Sequence, residues 1–184
     1  SDLAIAQAIE ALEEEDVFVV IAPDVIAGDI NYAKSSEALI NQVSTATPYN
    51  GLRFGVIQTP PRLSAGKAEV LAKSYNNKKI ILLSGYHTPT GKAYLGTNTI
   101  SPVGLYAGVL AISKPSISPA AINSVEGVDL VETPSKLEFL DRLTRSKIEV
   151  LHTDPVQGAV KFLNGRTSSS NPDNKWMSII RISD

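Results

Sequence analysis

The stretch that most invites a chemical reading is Gly85 to Ala93, Gly-Tyr-His-Thr-Pro-Thr-Gly-Lys-Ala. A glycine and a Gly-Lys pair follow an apolar run, as in a loop that wraps phosphate groups. Such a loop needs four residues between its glycines and a Ser or Thr hydroxyl after the lysine, to reach Mg²⁺. Here five residues separate Gly85 from Gly91, and Ala93 stands at the hydroxyl position. A nucleotide-binding α/β domain is one alternative for the chain; a surface loop is the plainer reading of the stretch. His87 and His152 are too few and too isolated to build a metal site. Both read as satisfied loop or strand-end residues. Asp24 follows an apolar run, where a catalytic aspartate could lie, but turns and helix caps are the usual work of such a residue. Glu13 to Asp16 reads as a solvated helix end, because adjacent helical carboxylates point in different directions. Asp154, Asp129 and Glu132 are candidate structural partners for Arg166 or Arg181.

The elements that must position these residues alternate in type. Leu3, Ile5, Ala6, Ile9 and Leu12 recur at helical spacing, with Asp2 as the expected N-cap. Val17 to Pro23 is a continuous apolar run, the pattern of a strand buried on both faces. A helix over Ser35–Val43 and a strand over Arg53–Gln58 follow. A helix over Lys67–Tyr75, with Val70, Leu71 and Tyr75 inward, precedes a strand over Lys79–Leu83. Ser84 to Thr99 reads as a loop rich in Gly, Thr and Pro. Ser101 is an expected N-cap with Pro102 in the first turn, and Val103–Ile112 reads as a buried helix of small apolar residues. Lys114–Asn123 is irregular and Gly127–Val131 is a short strand. Thr133-Pro134-Ser135 caps a helix through Arg145 with Leu137, Leu140 and Leu143 inward. A strand over Lys147–Leu151 leads into a terminal pair, Ala159–Leu163 and Trp176–Ile182. The pattern predicts an α/β layered domain: a mostly parallel sheet, helices on both faces, and a terminal antiparallel strand pair.

The chain has 184 residues, enough for one ordinary domain with a sizeable core. Its hydrophobic fraction of 43% against 20% charged is a globular balance, not that of a disordered chain. A net charge of −2 gives no basic footprint for nucleic acid or an anionic membrane. The absence of cysteine removes disulfides and thiolate chemistry. No apolar run reaches membrane-span length. The start lacks both an initiating Met and a basic region, so Ser1 is expected to be a processed end or a cut within a longer protein.

Two resemblances attach to specific residues. Gly96 to Gly108, Gly-Thr-Asn-Thr-Ile-Ser-Pro-Val-Gly-Leu-Tyr-Ala-Gly, resembles the nucleophile loop and helix of subtilisin-like serine proteases. Gly96, Thr97 and Pro102 match, but Asn98 holds the nucleophile position, and an amide does not replace an activated hydroxyl. Neither His87 nor His152 sits in a sequence like that family's histidine motif. The second resemblance lies at the end of the chain. Gly165-Arg166-Thr167 closes one strand, a polar loop with Asn171 and Pro172 follows, and Trp176 leads a strand ending in Arg181. This order resembles the core domain of contractile phage tail sheath proteins; Phe162 stands where that family often has Trp. Gly104–Ala111, Pro119–Val131 and Leu143–Leu151 are similar to further segments of the family.

The sheath resemblance implies a subtilisin-like architecture without a catalytic triad, and a structural subunit instead of an enzyme. Such subunits polymerise helically around a tail tube and contract on a baseplate signal, driving the tube through a cell envelope. It implies no cofactor, no metal and no catalytic residue, with Arg166 and Trp176 as fold residues. The implied partners are other sheath subunits, the tail tube protein and the baseplate, with neither nucleic acid nor membrane. The implied location is the virion tail, after assembly in the host cytoplasm. Residues 1–184 are expected to be a single core domain lacking the N- and C-terminal arms by which subunits add strands to their neighbours. A serine hydrolase of subtilisin-like architecture is the other alternative. With Asn98 at the nucleophile position, a serine-directed fluorophosphonate probe is expected to leave the protein unlabelled. Stoichiometric labelling of one serine would promote the hydrolase reading.

Overall fold

The computed structural model describes residues 1–15, 17–44, 53–89, 100–112, 124–131, 137–154, 156–163, 165 and 167–169. In chain order the elements are α1 (Asp2–Glu10), β1 (Val19–Ile26), a 3₁₀ turn (Ile30–Tyr32), α2 (Ala33–Ser44), β2 (Phe54–Gln58), α3 (Ala65–Tyr75) and β3 (Ile80–Ser84). Then come β4 (His87–Pro89), α4 (Pro102–Ile112), β5 (Val128–Leu130), α5 (Leu137–Arg145), β6 (Glu149–Thr153) and β7 (Val160–Phe162). Five strands form one sheet in the order β1-β2-β3-β6-β7. The first four run parallel, and β7 pairs antiparallel with β6, Leu151 opposite Phe162. Helical crossovers are what parallel neighbours require. A small second sheet pairs β4 with β5.

The expected fold class is the one observed, with two apolar layers around the sheet. On one face Val20, Ala22, Ile57, Ile80, Leu82 and Val150 meet Ala6 and Ile9 of α1, Ala38 and Leu39 of α2, Ala68 and Ala72 of α3, and Leu140 and Leu143 of α5. On the other, Phe54, Val56, Ile81, Leu83 and Leu151 meet Val103, Tyr106 and Val109 of α4. The alternation along each strand follows from the pleat. Tyr106 meets Phe162 edge to face at a ring separation of 4.8 Å. Gly55 of β2 is a close-approach position: a Cβ there would lie 2.7 Å from Ile80 Cδ1 and 3.0 Å from Leu39 Cγ.

Several local expectations need correction. Val17–Pro23 is not buried on both faces; it feeds β1, an edge strand that leaves Phe18 and Ile21 exposed. The register slips between Ala22 and Ile26, where Pro23 costs no ladder bond. Val70 points outward at 69% exposure; Leu71 and Tyr75 pack against the core as expected, beside the buried Ala65, Ala68 and Ala72. The stretch Ser84–Thr99 is not all loop, since β4 begins at His87. Nor is α4 buried all round: Gly104, Gly108, Ala111 and Ile112 are exposed. Ser1, not Asp2, caps α1. Asp2 reaches across to α2, where its carboxylate accepts from Lys34 N–H at 3.0 Å and Ser35 N–H at 2.9 Å. Strand β7 takes β6 as its partner; Trp176–Ile182, expected to pair with it, lies outside the described residues, as do 114–123 and Thr133-Pro134-Ser135. Ser101 accepts from Val103 N–H at 3.3 Å, as expected, and Asn76 closes α3 in the left-handed region.

Arg53, just before β2, is fully buried. Its guanidinium donates to Glu15 O at 2.5 Å, to Val17 O at 3.3 Å and to the Gln42 side-chain oxygen. Gln42 in turn donates to Glu10 O at 3.1 Å. One side chain thus ties the α1–β1 turn, α2 and the start of β2. Removing it leaves buried acceptors without donors, which costs more than the bonds gained. Arg53→Met is therefore expected to lower stability by roughly 2–4 kcal/mol, and Arg53→Lys by less, because an ammonium keeps some donors but loses the fork. Urea denaturation measures both; an unchanged midpoint for Arg53→Met would show the network to be dispensable.

The β6–β7 turn is held by Asp154. Its carboxylate takes Lys161 as ion-pair partner and accepts from Val156 N–H at 2.8 Å and Gln157 N–H at 3.1 Å. These bonds, that to Lys161 first, hold its pKa at about 2 against an ordinary 3.8. A depressed carboxylate contributes stability that is full above the unfolded-state pKa and is lost as pH falls through the folded one. The stability gap between wild type and Asp154→Asn is expected to be constant near neutral pH and to close as pH drops from 3.8 towards about 2. A gap that does not change across that window would rule the pair out.

Candidate functional site

The residues singled out for catalysis do not assemble. Asp24 lies within β1, inside the register slip between Ala22 and Ile26, with its side chain exposed. His87 is buried in β4, paired with Leu130 of β5. His152 is buried in β6, which lies three strands from β1. No hydrogen bond joins any two of these three. His152 Nδ1 lies 3.2 Å from the Thr153 carbonyl oxygen, which accepts a bond when that nitrogen carries the proton. Burial lowers the pKa of both histidines, which favours neutral rings. Asn98, with Gly96 and Thr97, lies outside the described residues. A neutral imidazole without an oriented carboxylate lacks the geometry of a base-activated nucleophile.

The phosphate-loop reading fails on the described part of its stretch. Gly85 takes φ +115°, and a Cβ there would lie 2.6 Å from the Leu151 carbonyl oxygen. This glycine therefore admits β6, not a phosphate. Tyr86 donates its hydroxyl to Thr59 O at 2.9 Å, and His87 to Pro89 continue as a strand. Residues 90–93 lie outside the described ones. Among the described residues no cluster of three or more His, Asp and Glu could hold a metal. No described helix is long and apolar enough to cross a membrane.

The ion pairs expected of Arg166 and Arg181 cannot be placed, since both lie outside the described residues, as does Glu132. Asp154 takes Lys161 instead. Gly165 takes a positive φ of +65°. Beyond it the chain returns to β3: Ser168 N–H donates to Ile80 O at 2.7 Å, and its hydroxyl donates to Asn77 O at 3.0 Å and accepts from Asn77 N–H at 3.1 Å. The polar segment after β7 is thus docked, not merely a connecting loop.

The sequence reading passed over a cleft of about 350 Å³ between α3 and α5. Lys73, Arg142, Arg145 and Lys147 line it together with Glu69. Glu69 pairs with Lys73, and Asp141 with Arg145, both at 2.8 Å and exposed. The Lys73 bond lowers the Glu69 pKa, and Arg142 adds a weaker pull in the same direction. The available signal was the Arg142/Arg145 spacing of three on one helix, which puts both on one face.

No protein-family model matches the sequence, and no curated protein is significantly similar to it. Solved structures do match. A sheath tail protein of Listeria innocua aligns with a TM-score of 0.70 at 16% identity, over 97% of this chain and 37% of that one. The sheath complex of an extracellular contractile injection system, PVC, in its contracted state aligns at 0.68 and 15%, over 100% and 54%. A chain of the anti-feeding prophage baseplate aligns at 0.69 and 17%, over 97% and 46%. The chain thus spans between about a third and about half of the chains it matches. Identities this low speak to architecture, and the architecture is consistent from end to end: the chain has the fold of contractile tail sheath proteins.

Proposed function

We propose that this chain is the core domain of a contractile sheath subunit. The observation that carries the proposal is the fold match, which runs over at least 97% of the chain in each of these three structures. The separation of Asp24, His87 and His152 supports a structural role over a hydrolytic one. Copies stack as helical rings around a tail tube, wait in an extended state, and contract on a signal from the baseplate. Contraction drives the tube through a cell envelope. Neighbouring sheath subunits, the tube protein and the baseplate are the partners, and no cofactor takes part. The subunit assembles in the host cytoplasm and ends in the tail of the particle. The matches include an extracellular contractile injection system as well as a sheath tail protein, which supports a sheath role in either setting; delivery during phage infection is the setting we favour.

Residues 1–184 act here as one core domain, with strand-adding arms outside it. The outer edge of β1 has no partner strand among the described residues, which suits strand addition. Electron microscopy of the full-length protein is expected to show tubular polymers. A full-length protein that stays monodisperse under all assembly conditions would sink the sheath reading. The 184-residue chain by itself is expected to run as a monomer at micromolar concentration in size exclusion with light scattering, since contacts that slide in contraction must be small and polar. A discrete hexamer would place the assembly contacts inside the core.

A further inference from the structure

The helix-rich face of the sheet carries opposite charges on its two flanks. On the β1 flank, Glu10, Glu13, Glu14 and Glu15 are exposed, and their carboxylates enter none of the ion pairs among the described residues. Their backbone is fixed. Glu13 N–H donates to Glu10 O at 3.0 Å, Glu15 N–H to Leu12 O at 3.1 Å, and Arg53 holds the Glu15 carbonyl from below. The acidic turn is therefore a preformed ridge, which lowers the ordering cost of any contact it makes.

On the other flank lies the α3–α5 cleft, with four cations against one carboxylate among the described residues that line it. Among the described residues, Arg142 and Lys147 have no hydrogen-bonded acidic partner. Basic residues in the last turns of α3 and α5 complement the helix dipoles, which accounts for Lys73, Arg142 and Arg145. It does not account for Lys147. That residue lies past the end of α5 at φ +64°, where Ile148 N–H closes the helix onto Leu143 O at 3.2 Å. Glycine is the usual occupant of that position.

Both patches sit at the end of the sheet where its parallel strands begin, because α1 leads into β1 and α5 into β6. The sheet holds them apart: β1 and β6 are separated by three strand spacings, about 14 Å. A sideways step therefore brings the acidic flank of one copy against the basic flank of the next, and the step can repeat. Such head-to-tail contacts build rings or helices. We propose that the Glu10–Glu15 ridge docks into the α3–α5 cleft of a second copy of this chain. The proposal deepens the sheath reading and rests on it only for the use of the repeat in rings; the contact itself needs no sheath. Exposed pairs are individually weak and screened by salt, so the docking acts between copies already held close.

The test is zero-length carbodiimide cross-linking of concentrated protein, with an equal mixture of isotope-labelled and unlabelled copies to mark links between chains. Expected are dimers and higher ladders at low salt, with mixed-isotope links from Glu10 or Glu13–Glu15 to Lys73 or Lys147. High salt should cut their yield roughly tenfold, because exposed charges are screened beyond about 10 Å even at moderate ionic strength. An Arg142→Glu/Lys147→Glu variant and a Glu13→Lys/Glu14→Lys/Glu15→Lys variant should each lose the ladder alone and regain it when mixed. Lys147→Gly is the folding control: it relieves the left-handed backbone, so its melting temperature should hold or rise while the link yield falls severalfold. No ladder in the wild type, a ladder indifferent to salt and charge reversal, or an unchanged yield in Lys147→Gly would overturn the proposal. So would protection of Lys73 and Lys147 by an added acidic peptide without self-links, which would assign the cleft to another partner. Tube formation by the full-length protein is scored separately, so failure of this contact and failure of the sheath reading are told apart.

Discussion

A guanidinium buried without a carboxylate governs how one flank of this fold is built. Burying a cation is costly unless its donors are met. Arg53 meets them with two main-chain carbonyls and one side-chain amide. Those acceptors belong to the α1–β1 turn and to α2, while Arg53 itself starts β2. The consequence reaches the surface. With the fork directed at carbonyls, the carboxylates of the same turn are left facing solvent. At the other end of α1, Asp2 caps α2 and bonds the Ser35 hydroxyl at 2.5 Å. The Ser35 bonds hold the Asp2 pKa down. Helix α1 buries only Ala6 and Ile9, so polar ties at both ends hold what its short apolar face holds weakly.

The two faces of the sheet are covered unequally. Among the described residues, four helices pack on one, and α4 alone on the other. Because α4 is apolar all round, its sequence reads as fully enclosed. Its inner side is enclosed, through Val103, Tyr106 and Val109. Its outer side is made of glycine, alanine and the 81%-exposed Ile112. Edge strand β1 is also less covered than its composition suggests. Phe18, at 42% exposure, leans on Phe54 at a ring separation of 5.7 Å and does not enter a core.

These two places show where sequence stops determining structure. Period and length were enough for α1, α2, α3, α5 and the buried strands β2, β3 and β6, because each is long or strongly patterned. An apolar run in itself does not say whether a second layer exists to cover it, so β1 and α4 were both read as more buried than they are. The three-residue strands β4 and β5 stabilise one another across 40 residues of sequence, and β4 has no local pattern to announce it. Arg53 looked like the first residue of a strand; its role depends on Glu15, Val17 and Gln42, which no spacing rule connects. Asp2 had the right residue type for a cap but serves the neighbouring helix. The basic cleft needed α3 and α5 side by side, which is a fact of topology.

The end of the sheet where α/β enzymes keep their chemistry is filled here. In open parallel sheets, ligands bind beyond the carboxyl ends of the strands. In this chain those ends carry Thr59 after β2, Tyr86 and His87 after β3, and His152 in β6, all buried. The β4–β5 ribbon follows β3 directly. Tyr86 bonds the Thr59 carbonyl on one side, and Val131 N–H donates to Tyr86 O on the other. Gly85 has no side chain because the backbone of β6 occupies that space. The histidines are pushed towards the neutral form by the same burial, and no carboxylate among the described residues hydrogen-bonds to either ring. Among the described residues, the β4–β5 ribbon covers the crevice that follows β3. The opposite end of the sheet, where the strands begin, carries the exposed acidic turn and the α3–α5 cleft. On the sheath reading proposed above, these flanks, not the crevice, are the surfaces that neighbouring copies would meet.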